Sequence, residues 1–291
     1  INRNITLAME NKTPEQIKEL VKQQYSQIAL QEKDQNESSC CGSTCCSTDV
    51  YNIMSDDYSK LEGYNPEADL GLGCGLPTQF AKIAKGNVVI DLGSGAGNDC
   101  FVARQETGDT GKVIGIDFTP AMIDKARINA EKLGYHNIEF RQGDIENLPV
   151  TSNVADVVVS NCVLNLVPDK VKAYSEVFRV LKPGGHFSIS DVVLEGALPK
   201  TLMNVAEMYA GCISGAIQKD VYLKAIHDAG FKNVTIQKQK AILLPDDILK
   251  EYLSESDIKT YKESGVGIFS ITVYGEKEKK DQPCCPPGCC N

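Results

Sequence analysis

The chain has 291 residues, 42% of them hydrophobic and 24% charged, enough for one large domain or two modest ones around a buried core. A formal net charge of −9 argues against the basic face that nucleic-acid phosphates or an anionic membrane surface require. No apolar run approaches the roughly 20 residues of a membrane span. The start shows no secretory pattern, so a cytoplasmic location is expected, with Met9 as a candidate natural start. Twelve cysteines in such a chain point to thiol chemistry rather than a disulfide framework, and three histidines leave any soft-metal site to be built on sulfur.

In chain order, residues 13–33 read as a helix, with Thr13-Pro14 as cap and first turn and Ile17, Leu20, Val21 and Ile28 on one stripe. Residues 34–49 read as a polar loop with two Cys-Cys pairs, and 50–85 lead in through Gly71-Leu72-Gly73-Cys74-Gly75. From 87 to about 193, strand and helix alternate. Strands are expected at 87–91, 112–117, 138–141, 154–160 and 186–192, and helices at about 98–106, from Pro120 to near Gly134, and at 169–181. Lys182-Pro183-Gly184-Gly185 reads as a turn into the fifth strand. Continuous β-branched runs separated by helices mean a mostly parallel sheet covered on both faces. Beyond it come a helical stretch near 199–217, a helix ending at Gly230, strands at 233–238 and 269–274, and a Pro/Cys-rich tail expected to be mobile.

The first sharp signal is Val88-Val89-Ile90-Asp91-Leu92-Gly93-Ser94-Gly95-Ala96-Gly97, a strand running through a glycine turn into a helix. Dinucleotide binding requires G-x-G-x-x-G with a pyrophosphate on the helix N-terminus. Here the spacing is G-x-G-x-G, and Asp91 would repel a pyrophosphate while tolerating a cationic sulfonium and its ammonium group. Asp117 closes the next strand, where an acid accepts hydrogen bonds from ribose hydroxyls. Asp144 after strand three suits an adenine amino group, although alone it would read as a turn or cap residue. Ser160-Asn161-Cys162 and Leu181-Lys182-Pro183-Gly184-Gly185 flank the later strands.

Together these segments closely resemble the class I S-adenosylmethionine-dependent methyltransferases across about 85–193. The resemblance implies that the Asp117 position binds ribose and the Asp144 position reaches adenine. It also implies a seven-stranded sheet whose last strand runs antiparallel. The expected fold class is α/β: a Rossmann-like sheet with helices on both faces, an N-terminal helical arm and a C-terminal α+β region. The candidate cofactor set is Asp91, Gly93, Ser94, Gly95, Asn98, Asp117, Phe118, Met122, Asp144, Ile145 and Asn161.

The acceptor is read from the cysteines. Cys162 stands just past the carboxyl end of strand four, beside the expected switch point between strands one and four. Cys212 lies in Tyr209-Ala210-Gly211-Cys212-Ile213-Ser214-Gly215, and Cys74 in a lead-in segment able to fold over the cofactor. Each alone would read as a buried small hydrophobe, the reading kept for Cys100; three in glycine-rich or strand-end contexts read as a site. Soft thiolates select a soft, thiophilic centre, and trivalent arsenic bound by three sulfurs keeps a lone pair for in-line attack on a methyl carbon. No general base is needed, so positioning is the main catalytic task.

Gly73-Cys74-Gly75, Ser160-Asn161-Cys162-Val163-Leu164-Asn165-Leu166 and Ala210-Gly211-Cys212 make the chain similar to the arsenite methyltransferases over nearly its whole length. The resemblance implies that Cys162 and Cys212 hold the arsenic and that Cys74 completes the site or pairs with an N-terminal cysteine. Cys40, Cys41, Cys45 and Cys46 are all candidates for that partner. It further implies biotransformation of arsenite for detoxification, and a disulfide cleared by thioredoxin or glutathione as reductant. Cys40-Cys41-Gly42-Ser43-Thr44-Cys45-Cys46 and Cys284-Cys285-Pro286-Pro287-Gly288-Cys289-Cys290 read either as arsenite capture motifs or as redox-active tails of no fixed role. Zinc suits them less, because neither has C-x-x-C spacing.

The resulting division is 1–60, helix and Cys-rich loop; 61–195, S-adenosylmethionine-binding domain; 196–275, arsenic-site and sheet-completing region; 276–291, Cys-rich tail. The competing readings are a methyltransferase of a small organic acceptor such as a quinone, for which no clear base is present, and a non-catalytic metalloid-sequestering protein.

Overall fold

The computed structural model describes residues 13–30, 56–198, 213, 215–243, 246, 249, 250 and 253–279. Seven strands form one sheet: β1 (Val88–Leu92), β2 (Lys112–Asp117), β3 (Ile138–Gln142), β4 (Ala155–Asn161), β5 (Leu181–Glu195), β6 (Lys232–Ile242) and β7 (Gly267–Glu276). Their order is β3-β2-β1-β4-β5-β7-β6. The pairs up to β5 are parallel, and β7 runs antiparallel between β5 and β6. This is the sheet the family resemblance implies, with the last strand inserted inside the edge.

The helices are α1 (Pro14–Ala29), the short α2 (Pro77–Phe80), α3 (Asn98–Thr107), α4 (Pro120–Lys132), α5 (Lys170–Val180), α6 (Lys219–Asp228) and α7 (Glu255–Glu263). Side chains alternate across a strand, so the apolar runs supply both faces at once. Val89, Val113, Val157 and Val159 pack with Phe101 of α3 and with Met122, Ile123 and Ala126 of α4. Ile90, Ile114, Ile116 and Val158 pack on the other face with Tyr174 and Val177 of α5 and Tyr222 and Ile226 of α6. By the same alternation Asp91 faces α3, alongside Val89.

Helix α1 begins in a capping box: Thr13 Oγ1 accepts the Gln16 N–H, and Gln16 Oε1 accepts the Thr13 N–H. It ends at Ala29, four residues short of the expected bound, and packs against α4, with Tyr25 and Ile28 against the α3/α4 core. The expected turn at 182–185 is instead part of β5. Leu181 already pairs with Ala155, and a register shift before the Val157–His186 pair absorbs the extra residues, with Gly184 at φ +85°. An ion pair from Lys182 to Asp156 holds that bulge. The helix α7 escaped the sequence reading because it is short and polar, with Ile258 its one fully covered side chain; its signal was the Ser254 cap on the Asp257 N–H. The helical stretch expected near 199–217 falls mostly outside the described residues. Among the described residues no helix is long and apolar enough to cross a membrane.

Candidate functional site

The strand order reverses between β1 and β4, parallel hydrogen-bonded neighbours: the chain steps outward from β1 through β2 to β3, then returns to β4 on the other side of β1. A reversal leaves a crevice at the carboxyl ends of the strands, because the connections leave toward opposite sides. There the molecule opens a cleft with about 1140 Å³ of non-protein space, part of it open solvent. All eleven residues of the expected cofactor set line it. The loop after β1 sits tightly: Gly93 has φ +68°, and a Cβ on it would collide with Val163.

Three carboxylates form the inner wall. Asp117 accepts the N–H groups of Gly95 (3.0 Å) and Thr119 (2.8 Å), tying the glycine loop to the end of β2. Burial pushes its carboxyl up, and those N–H donors only partly offset the effect. Asp91 is 2% exposed. Burial and the neighbouring Asp99 push its carboxyl well above the usual range, while the Cys100 thiol donates to it at 3.2 Å. Cys100, on α3, is fully buried against β2, as the core reading had it, and it also braces Asp91. Asp99 is pushed up to about 6 by burial, against Tyr58 and Asn161, whose donors favour its ionised form.

Among the described residues no lysine or arginine pairs with any of the three. Such a wall is costly when empty of positive charge and favours a cationic ligand. Two further polar atoms, Ser94 Oγ and Asn98 Oδ1, are buried with no hydrogen-bond partner among the described residues. A ligand with positive charge and its own donors and acceptors fits this wall, since buried polar groups are ordinarily paired.

Farther along the cleft lining, Asp144 follows β3 and meets Lys18 of α1 at 2.7 Å; Lys18 also reaches Glu146 at 2.6 Å. Burial pushes the Lys18 ammonium down, but its two carboxylate partners together outweigh that and hold it above its usual value. Lys18, Val21 and Tyr25 therefore form part of the cleft wall. Sequence reasoning placed α1 as a helix but found no role for these residues, because periodicity says which face is apolar and not what it covers.

Cys162 lines the cleft beside Asn161 and Val163. It has φ +60°, a conformation uncommon for a residue with a Cβ, held by its N–H donating to Ser190 O at 2.8 Å. Cys74 is fully buried, one residue behind the cleft-lining Gly73, and its N–H donates to Asn161 Oδ1 at 3.0 Å. Cys74 and Cys162 belong to one buried cluster with Val192, Ile213 and Ile268. Cys212 lies outside the described residues, although its chain neighbour Ile213 packs in that cluster. Both terminal Cys-Cys-x-x-x-Cys-Cys motifs also lie outside the described residues.

Tyr58 and Asp99 were missed. Tyr58 OH donates to the Asp99 carboxylate (2.9 and 3.0 Å) and lies 3.2 Å from Gly75 O; both residues line the cleft. The signal for Asp99 was an acid two residues beyond Gly97 at the start of α3; nothing local marked Tyr58.

A methyltransferase-domain family model matches residues 83–230. The chain is 38% identical over 293 residues to an arsenite methyltransferase of Halobacterium salinarum, covering 96% of this chain and 71% of that protein. It is 31% identical over 245 residues to an arsenite methyltransferase of Aquipseudomonas alcaligenes, covering 82% and 68%. Its fold is similar to that of an arsenic(III) S-adenosylmethionine methyltransferase from Chlamydomonas reinhardtii: TM-score 0.59, 30% identity, 80% of this chain and 74% of that one.

Proposed function

Because the chain belongs to the arsenite methyltransferase family, we propose that it transfers a methyl group from S-adenosylmethionine to trivalent arsenic held by the thiolates of Cys74, Cys162 and Cys212. The observation that carries this reading is the place of Cys162: a thiol at the end of β4, opening on the same cleft as the three-carboxylate wall. A thiophilic acceptor and a cationic donor are thus served from two sides of one crevice.

Bound S-adenosylmethionine supplies a methyl carbon on a sulfonium sulfur, which departs as a neutral thioether. The chain's own residues position and desolvate. In this reading Asp117 would accept ribose hydroxyls and Asp144 the adenine amino group. Asp91 and Asp99 offset the positive charge, and the unpartnered Ser94 and Asn98 atoms provide further hydrogen-bonding sites. The thiolates present arsenic with its lone pair toward the methyl carbon. In the transfer an As–C bond forms from that lone pair, and the C–S bond breaks with its electrons passing to sulfur. No proton moves, so no base is required. Alignment of this kind supplies on the order of 7–11 kcal/mol in well-oriented reactions.

Arsenic gains a bond and is formally oxidised by two electrons. A further round needs two thiols to give up those electrons as a disulfide; Cys74 and an N-terminal cysteine are the pair this reading uses, with thioredoxin or glutathione reducing them again. The physiological outcome is arsenic detoxification.

The test is purified protein with arsenite, a thiol reductant and methyl-labelled S-adenosylmethionine. Labelled methylarsenicals are expected. No methylated arsenic under reducing conditions overturns the reading, and arsenite binding without turnover would assign the chain to sequestration instead.

A further inference from the structure

Cys74 and Cys162 come from segments far apart in the chain, and one side chain joins them. Asn161 immediately precedes Cys162 at the end of β4. Its Oδ1 accepts the Cys74 N–H at 3.0 Å, and its Nδ2 donates to Gly75 O at 2.8 Å. The amide thus pairs with the lead-in segment much as a peptide group of an adjacent strand would. Reversing it would set a donor against the Cys74 N–H and an acceptor against Gly75 O, so its partners define its orientation.

The approach is close by construction. A Cβ on Gly73 would stand 2.8 Å from Asn161 Nδ2, so a side chain there would push the segment off the amide. The amide is itself braced from behind: Nδ2 contacts the Tyr58 hydroxyl and lies 3.3 Å from Asp99 Oδ2, and the Tyr58 hydroxyl donates to that same carboxylate. Tyr58 is buried, and burial with Asp99 beside it pushes its phenol well above the usual value, so it stays a donor at any working pH. Cys162 is anchored separately, through its N–H to Ser190 O on β5.

We infer that Asn161 is the positioning residue that registers the Cys74 thiol against the Cys162 thiol, with Tyr58 and Asp99 fixing its amide. This rests on the arsenic-thiolate reading above and deepens it. A three-sulfur site binds trivalent arsenic only if the sulfurs converge on one pyramid. A displacement near 1 Å in such a site costs about a hundredfold in rate. The backbone of the Cys74 segment is also held by Ser270 Oγ, which donates to Cys74 O, and by Tyr58 near Gly75 O. Asn161 connects it by hydrogen bonds to the strand end that carries the second thiol.

The experiment compares Asn161→Ala and Tyr58→Phe with the parent protein. Arsenic X-ray absorption counts sulfur ligands at one equivalent of arsenite, in a full-length background whose eight terminal cysteines are serine, so that those thiols do not compete. Arsenite KM and kcat are measured in the otherwise unaltered chain, and S-adenosylhomocysteine affinity by calorimetry. Asn161→Ala is expected to fall from three sulfur ligands to two and to raise arsenite KM about tenfold, a larger change than in cofactor-product affinity. Tyr58→Phe, which keeps the ring and loses only the hydroxyl, is expected to raise arsenite KM about threefold.

Three sulfurs and an unchanged KM in Asn161→Ala overturn the inference. So does a selective loss of S-adenosylhomocysteine affinity, which would assign the amide to the cofactor. If thermal unfolding shows that Asn161→Ala does not fold, Tyr58→Phe decides, and a wild-type KM in it overturns the inference. A parent protein with no arsenic–sulfur signal fails differently: it overturns the thiolate reading itself.

Discussion

At the proposed cofactor end of the cleft, three acids are delivered by strand termini. Asp91 is the next-to-last residue of β1, Asp117 closes β2, and Asp144 follows β3 by two residues. Their positions follow from a parallel sheet whose strands all end on one side. At the proposed acceptor end, Cys162 also stands at a strand end, but Cys74 is hydrogen-bonded to that strand end through the Asn161 amide, which is in turn held by Tyr58 and Asp99. One end is built by topology and the other by side-chain hydrogen bonds across long chain separations. The first tolerates local change around a fixed frame; the second depends on each member of a small network being satisfied.

If that division is real, the two ends should fail independently, and the largest effects should show it. Cys162→Ser is expected to lower methyl transfer at least about a hundredfold, since serine keeps the volume and removes the soft ligand. Cofactor affinity should stay close to that of the parent. Asp117→Ala should do the reverse, weakening cofactor affinity about 10- to 100-fold through lost charge-assisted hydrogen bonds while arsenite binding is spared. Calorimetry with each ligand separately reads both. If Cys162→Ser lowered cofactor affinity as much as Asp117→Ala does, the two ends would be one site and the comparison would collapse.

The same contrast explains what was legible in the chain. Runs such as Val157-Val158-Val159, glycine turns and strand-end acids are local signals, so the strands and the eleven expected cleft-lining residues could be read directly, whereas the seven-stranded sheet with its antiparallel last strand came from the family resemblance. Tyr58 carries no local mark; it matters because folding brings it to Asp99, 41 positions away. Lys18 meets Asp144 across 126 positions. A lysine on a helix face reads as solvated until its partner is known. The bulged start of β5 was hidden for another reason: Pro183, Gly184 and Gly185 are turn residues by composition, and a bulge uses the same chemistry.

A smaller effect tests the carboxylate wall. Asp99 sits at about 6, so its charge is present above that pH and lost as pH falls through it. A cationic ligand draws on the ionised form, so S-adenosylmethionine affinity should fall as pH drops below about 6, by at most about tenfold per pH unit for one proton. Asp91, also pushed up, acts in the same direction. S-adenosylhomocysteine lacks the sulfonium charge and should lose less over the same range. Asp99→Asn should flatten the difference between the two ligands. Parallel profiles for both ligands in the parent would mean that the wall does not act through charge.

The smallest effect concerns α1, which belongs to neither end by topology yet covers part of the cleft. Lys18 binds Asp144 and Glu146, but its side chain is 30% exposed and that of Asp144 44%, so water and salt screen much of the attraction. Helix α1 also packs on α4 independently of that lysine. Lys18→Ala therefore has two opposed consequences. It loosens the cover, which speeds both entry and release, and it frees Asp144 to accept the adenine amino group without competition. The equilibrium affinity should move less than about threefold, within the range of exposed ion pairs, while the cofactor exchange rate rises. Displacement kinetics with S-adenosylhomocysteine measure that rate directly. A shift of tenfold or more in affinity, with exchange unchanged, would make Lys18 part of recognition on the same footing as Asp117. Side-chain contacts made across long separations would then shape the cofactor end as well.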